Sequence, residues 1–128
     1  MAGQLTISTL SDGTNSTSST NCIQGSAKAW LTYNLNNQTT LASYGLSSVT
    51  YNSGGVFTMN FTTAFADANY CVVCGSTSYG TSDLNRFVMT QGSTGSPTLK
   101  TTTAVRMTGG YGAVPGNDTQ PQSVAIFR

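Results

Sequence analysis

Three cysteines are the residues of this sequence that could bind a metal or undergo redox chemistry. Cys71 and Cys74 have the CxxC spacing, and Cys22 lies far from both along the chain. The pair falls within the apolar run 70–74, which we predict to be a buried central strand. Residues three apart in a strand face opposite sides, and the sequence has no His to complete a zinc site. We interpret the cysteines as small buried hydrophobic residues and expect no metal or other cofactor.

Acid–base catalysis would have to rely on aspartates, because the sequence contains neither Glu nor His. The carboxylates are Asp12, Asp67, Asp83 and Asp118. A pair of carboxylates can cleave a polysaccharide, but all four fall in predicted turns, where Asp accepts hydrogen bonds from nearby backbone N–H groups. Serines are abundant, yet no base and no G-x-S-x-G motif accompanies them. We predict that the protein is not an enzyme.

Two tyrosines lie in segments that resemble binding loops in composition. Tyr79 belongs to the segment 75–83 and Tyr111 to the segment 109–122, both rich in small and polar residues. Exposed Tyr in such a setting is typical of adaptable contact surfaces, and its ring can stack on a sugar. The alternative is an ordinary loop tyrosine that packs its ring on the end of the domain. We predict Tyr79 and Tyr111 as binding residues.

The low charge of the chain limits the partners that it can attract. It has 128 residues, of which 7% are charged, and a formal net charge of +1. This gives no basic field for phosphates, so we expect neither nucleic acid nor an anionic membrane as a ligand. No apolar run approaches the roughly 20 residues of a membrane span. With an odd number of cysteines and no signal-like start, we expect one soluble domain made in a cytoplasm, without membrane insertion.

Short apolar and alternating patterns predict an all-β fold. Period-two alternation is clearest over 27–34, and the apolar segments 46–51 and 56–61 flank a four-residue Gly-Gly loop as a hairpin. Further strands are predicted over 70–74, 85–91, 98–107 and 123–127, with loops over 75–83, 92–97 and 109–122. No segment has a convincing helical pattern. We predict a small antiparallel β-sandwich, jelly-roll-like, or a related barrel, over residues 26–128.

Residues 1–25 are predicted to form an N-terminal strand followed by an extended polar arm. The segment 4–10 places Leu5 and Ile7 on one side and Thr6 and Ser8 on the other, which indicates a short strand. Residues 11–25 are too polar to bury their backbone unaided. The segment is therefore either a solvated tail or an arm that lies along a neighbouring subunit, where its apolar tip is covered.

Trp30 lies on the opposite face of the predicted strand 27–34 from Leu31 and Tyr33. Two interpretations remain open. Either a second layer of the same chain packs on this face, or Trp30 contacts another subunit. We predict Leu5, Ile7 and Trp30 as subunit-interface residues.

Several motifs along the chain resemble one family of viral proteins. The motifs are TLSDGTNS at 9–16, GSAKAWLTYN at 25–34, SSVT at 47–50, FTMNFTTA at 57–64, DANY at 67–70 and VAIF at 124–127. Together they resemble a small β domain found in tail-fibre and related virion proteins of tailed bacteriophages. The likeness covers the chain nearly end to end, and residues 75–122 depart from it most.

This resemblance implies a non-enzymatic structural protein of the virion, made in the host cytoplasm. The first hypothesis is a tail-fibre or fibre-tip component, assembled as a homotrimer, that contributes to host attachment. It would contact other virion proteins and bind a host-surface glycan or protein through the loops that carry Tyr79 and Tyr111. The alternative is a capsid decoration protein, or a tail or baseplate adaptor, whose N-terminal arm joins subunits. A depolymerase is disfavoured by the lack of acid–base residues.

Overall fold

Strands make up most of the structure. The computed structural model describes residues 3, 5–76, 86–90, 100–111, 114–115 and 121–128. Within them the strands are β1 (Thr9–Ser11), β2 (Ser16–Ser18), β3 (Ala27–Asn34), β4 (Thr39–Tyr44), β5 (Leu46–Ser53), β6 (Val56–Phe61), β7 (Cys71–Ser76), β8 (Arg86–Thr90), β9 (Ala104–Tyr111), β10 (Val114–Pro115) and β11 (Pro121–Phe127), and the helix is α1 (Ser19–Gly25). The predicted all-β class is confirmed.

Two antiparallel sheets form a small sandwich-like fold. Sheet I has the strand order β4-β3-β11-β7, and sheet II has the order β10-β9-β6-β5, with β8 also paired to β9. The strands β3 and β11, which pair at the centre of sheet I, come from opposite ends of the chain. Long-range pairing of this kind holds the fold together because each sheet needs strands that are distant in sequence.

The core consists of the inward-facing residues of both sheets. In β3 and β6 every second side chain is buried, as the period of a strand requires. The buried hydrophobic residues are Ala29, Leu31, Tyr33, Leu35, Val56, Phe57, Met59, Phe61, Tyr70, Val88, Val105, Met107, Val124 and Ile126. The rings of Tyr33 and Phe57, one from each sheet, meet with centroids 5.2 Å apart. The strand at 27–34 and the inward face of the second hairpin strand are thus confirmed.

The turn between β5 and β6 is tighter than the sequence suggested. A four-residue loop was expected at 52–55, but Ser53 pairs with Val56, so only Gly54 and Gly55 lie between the strands. Their φ angles are 45° and 78°. Positive φ at both central residues is the conformation that matches the twist of a hairpin, and Gly adopts it without a steric penalty.

The N-terminal region is more structured than an extended arm. The expected strand over 4–10 is limited to β1, which pairs with β2, and α1 follows where no helix was expected. The Ser18 side chain accepts a hydrogen bond from the Asn21 backbone N–H at 3.1 Å, and the Ser26 hydroxyl donates to the Cys22 carbonyl oxygen at 2.5 Å. Caps at both ends therefore stabilise a polar segment that lacks an apolar face. We call residues 5–25, which contain β1, β2 and α1, the arm module.

The structure differs from the sequence-based predictions at three further places. β4 was not expected, because all six of its residues are exposed and no alternation marks it. The expected strand 98–107 begins later, at Ala104, because Thr101 accepts hydrogen bonds from the backbone N–H groups of Thr103 and Ala104 in a turn. The expected loop 109–122 contributes its ends to β9 and β11 and its middle to β10.

The expected buried central strand at 70–74 is an edge strand. β7 lies at the end of sheet I, next to β11, and its residues alternate between exposed and half-buried. Cys71 is exposed, and Cys74 and Cys22 are half-buried, so the expectation that the three cysteines are buried is wrong. The expectation that Cys71 and Cys74 face opposite sides is confirmed by the alternation.

Candidate interaction surface

The outer face of sheet I carries a row of apolar side chains, three exposed and one half-buried, which we call the outer row. It consists of Tyr44, Trp30, Ala125 and Val73, one residue from each strand of the sheet. Residues directly opposite one another in antiparallel strands share a face, so the four side chains stand side by side. The exposed fractions are 60% for Tyr44, 38% for Trp30 and 53% for Val73. The prediction that Trp30 lies away from the core face is confirmed.

On one side of the outer row the neighbouring residues are small and uncharged. The next row across the sheet is formed by Ala42, Thr32, Ser123 and Gly75. On the other side of the outer row, Cys71 pairs with half-buried Phe127. Aromatic residues flanked by small residues are typical of the centre of protein interfaces. The nearest charge is that of Lys28, which lies beside Tyr44, so a partner that covers the outer row and its small neighbours can bury apolar area while Lys28 stays at the rim.

The arm module exposes apolar side chains as well. Leu5 is 81% exposed, and Leu10 and Ile23 also stand open to solvent, as does Ile7 to a smaller extent. Together with Cys22 they line a shallow apolar depression of about 340 Å³. The Lys28 side chain donates a hydrogen bond to the Ile23 carbonyl oxygen at the end of α1, which ties the helix to the start of β3. Leu5 and Ile7 thus lie on the surface, outside any described strand.

A cleft of about 570 Å³ opens at one end of the sandwich, beside Tyr44. Its lining residues are Lys28, Tyr44, Gly45, Thr62, Thr63, Ala64, Phe65, Ala66 and Arg128. The two cations are engaged within the chain, since Lys28 binds the Ile23 carbonyl oxygen and Arg128 pairs with Asp67. Asp67 offsets the charge of Arg128, whereas Lys28 keeps its positive charge because the carbonyl oxygen it binds is neutral. The cleft therefore combines one uncompensated cation with apolar residues such as Tyr44 and Phe65.

Only one of the two predicted binding tyrosines lies within the described residues. Tyr79 lies outside the described residues. Tyr111 is the last residue of β9, where its backbone pairs with Arg86 of β8 and Val114 of β10, so the expected loop position is wrong. Its side chain is outside the described part of the structure. The structure therefore places the backbone of Tyr111 at a strand end.

The described carboxylates serve in turns and ion pairs. Asp12 accepts hydrogen bonds from the backbone N–H groups of Asn15 at 2.7 Å and Thr14 at 2.9 Å, and these bonds lower the pKa of its carboxyl. Asp67 accepts from the Asn69 backbone N–H at 2.7 Å. Both occupy the turn roles that the sequence indicated, whereas Asp83 and Asp118 lie outside the described residues.

The two cysteines of the CxxC motif differ in environment. Burial, and to a lesser degree the neighbouring Cys71, raises the pKa of the Cys74 thiol. Over the ranges that the structure describes, no three His, Cys, Asp or Glu side chains come together to hold a metal ion. A search of the same ranges finds no helix with the length and apolar character to cross a membrane.

Comparisons of the chain with protein-family models, with curated proteins and with solved structures find no match. Sequence reasoning identified Trp30 but missed Tyr44, Val73 and Ala125. The pairing of Trp30 with Tyr44 could not be read from the sequence because the strand β4 has no alternating pattern. The one available signal was an apolar Val73 on the opposite side of β7 from Val72.

Proposed function

We propose that this chain is a non-enzymatic structural protein of a tailed-bacteriophage virion, forming part of a tail fibre or fibre tip and contributing to attachment to the host. The virion setting is supported by the motifs at 9–16, 25–34 and 57–70. The structural role is supported by the outer row, which is the single observation that carries it. An uncharged apolar face of this kind is more characteristic of assembled proteins than of free monomers.

The composition of the chain fits the same role. A sequence with no His, no Glu and 7% charged residues has few groups for acid–base chemistry, whereas Thr- and Ser-rich strands with an aromatic patch suit symmetric assembly. Other copies of the chain and other virion proteins are the proposed partners. A homotrimer is the proposed assembly for the fibre role, with Trp30 in the subunit interface.

Imaging of intact particles tests the proposal. A Fab raised against the purified chain should label the fibres or the tail tip in cryo-electron micrographs of the phage that encodes it. Particles from a phage with the gene deleted provide the control. Absence of the chain from purified particles would contradict any virion role.

A second candidate role is a capsid decoration protein or a tail or baseplate adaptor. The arm module favours it, because Leu5, Leu10 and Ile23 stay exposed and its strands β1 and β2 pair with each other rather than with either sheet of the sandwich. Label spread over the head would support decoration, and label at the junction of tail and baseplate would support an adaptor. Either result would exclude the fibre location.

Host attachment is tested through the two tyrosines. We expect Tyr79→Ala or Tyr111→Ala to reduce binding of the purified chain to host cells or to a glycan array. The matched controls are Tyr79→Phe and Tyr111→Phe, which keep the ring that would stack on a sugar. Unchanged binding by both alanine variants would refute their assignment as receptor-binding residues while leaving the virion role intact.

A further inference from the structure

The segment 5–8 has the pattern of a strand but forms none in its own chain. Leu5 and Ile7 alternate with Thr6 and Ser8, yet the first strand begins only at Thr9. Leu5 is the most exposed of the large hydrophobic residues in the described structure. The Ser8 carbonyl oxygen accepts a hydrogen bond from the Ser19 backbone N–H at 2.9 Å, but no strand of the described structure pairs with residues 5–7, and an unpaired strand needs a partner to satisfy its backbone and bury its apolar side. Segment 5–8 therefore has the alternation and the exposed apolar side of a strand that pairs with another chain.

β4 offers an open sheet edge to such a segment. Among the described residues it pairs only with β3, and all six of its side chains are exposed. Its sequence, TTLASY, has no charge and no Pro, which are the residues that protect an edge from unwanted pairing. One irregularity interrupts the edge, because the register shifts between Thr32 and Tyr33 and leaves Leu41 without an opposite residue.

The side chains of the two elements match in polarity. The outer row reaches the edge of sheet I at Tyr44, so Leu5 and Ile7 of an added strand would extend the apolar row when they face outward. Thr6 and Ser8 would then face inward beside Ser43 and Thr40, which lie opposite the inward-facing Leu31 and Tyr33 of β3. Neither element carries a charge that pairing would have to bury.

We infer that residues 5–8 of one copy of this chain add as a fifth strand to the β4 edge of a second copy. This deepens the proposed function, on which it rests, because it names the contact that joins subunits in the particle. Main-chain hydrogen bonds supply affinity in such strand addition, and alternate side chains supply specificity. Each copy has one donor segment and one acceptor edge, so the contact is head-to-tail and closes into a ring, such as a trimer, or continues as a filament.

The assembly is tested with purified full-length chain by light scattering coupled to size exclusion at micromolar concentration. We expect a mass above that of the monomer. Ile7→Pro removes a backbone donor outside any described element, so it should leave the circular dichroism spectrum unchanged and raise the dissociation constant about tenfold or more. The matched control is Gly3→Pro, which lies before the pairing segment and should assemble like the unaltered chain.

Disulfide crosslinking identifies the accepting strand. A copy carrying Ile7→Cys mixed with a copy carrying Ala42→Cys should give a crosslinked dimer on a non-reducing gel, beyond the background that each copy gives alone through its native cysteines. A wild-type chain that stays monomeric, or assembly that persists in Ile7→Pro but is lost in Trp30→Lys, would overturn the inference. A chain that carries both Ile7→Cys and Ala42→Cys and forms the disulfide only within itself would overturn the inference as well. None of these results bears on whether the chain is found on particles, which the imaging experiment decides separately.

Discussion

Replacing Tyr70 with Phe tests how one end of the sandwich is closed. The Tyr70 ring packs against Phe61 and Phe65, with centroids 5.6 Å and 5.0 Å away. Its hydroxyl lies 3.0 Å from the carbonyl oxygen of Thr101 and 3.1 Å from that of Ala104, and it donates to them. The side chain is buried, so Tyr70→Phe keeps the ring contacts and removes this hydrogen bond. We expect the free energy of unfolding at neutral pH to fall by about 1 kcal/mol.

The same hydroxyl makes the free energy of unfolding depend on pH in the alkaline range. Burial raises the pKa of Tyr70 from 10.0 to about 12. Between pH 10 and 12 the unfolded chain has lost the phenol proton and the folded chain still holds it. The unfolded state binds fewer protons, so the free energy of unfolding falls as the pH rises through this window. A pKa raised to about 12 corresponds to a loss of up to about 3 kcal/mol across this window.

Urea denaturation at pH 8, 10, 11 and 12, followed by circular dichroism, measures both effects. The unaltered chain should be more stable than Tyr70→Phe by about 1 kcal/mol at pH 8, and the gap should close or reverse by pH 12 because only the unaltered chain has the titrating hydroxyl. The control is Tyr44→Phe at an exposed tyrosine, which leaves the Tyr70 hydroxyl in place and should therefore keep the alkaline loss of stability. A gap that stays constant from pH 8 to 12 would refute the assignment of the alkaline loss to Tyr70.

Three further outcomes follow from the backbone and the thiols. Gly45→Ala should lower the free energy of unfolding by about 2–4 kcal/mol in urea melts, because φ is +70° and the added Cβ would lie 2.4 Å from a β3 carbonyl oxygen. Ser18→Ala removes the cap of α1 and should cost about 1 kcal/mol; faster hydrogen exchange at the Asn21 N–H would report it, and an unchanged rate would argue against the cap. A thiol reagent at pH 8 should label exposed Cys71 faster than half-buried Cys74, whose pKa is raised; equal rates in peptide mass spectra would contradict this order.

Alternation along single strands allowed part of the fold to be predicted from the sequence. β3 and the β5–β6 hairpin were predictable because a half-buried strand must alternate and a Gly-Gly pair favours the hairpin turn. β4 could not be predicted in this way. All its side chains are exposed, so its residues form a strand because β3 offers a neighbouring backbone, and only the folded chain provides that neighbour.

The arm module shows a different limit of sequence reasoning. Its polar residues were read as an extended arm, yet Ser18 and Ser26 cap a helix in the same composition. Ser and Asn favour both caps and irregular turns, so local preference alone leaves the two states close in free energy. The strand predicted over 4–10 does not include Leu5 and Ile7 in the structure for a related reason. Alternation indicates that a segment can form a strand, but it does not indicate which segment it pairs with.

The sequence by itself determined the all-β class, the direction in which Trp30 faces and the scarcity of groups for acid–base chemistry, because composition and strand periodicity act residue by residue. The tertiary structure alone decided that β7 is an edge strand and that Tyr44, Ala125 and Val73 stand beside Trp30. Register between strands distant in the chain depends on how whole faces pack across the core, a collective property that no local pattern encodes. The surface on which the proposed function rests exists only after that packing is complete.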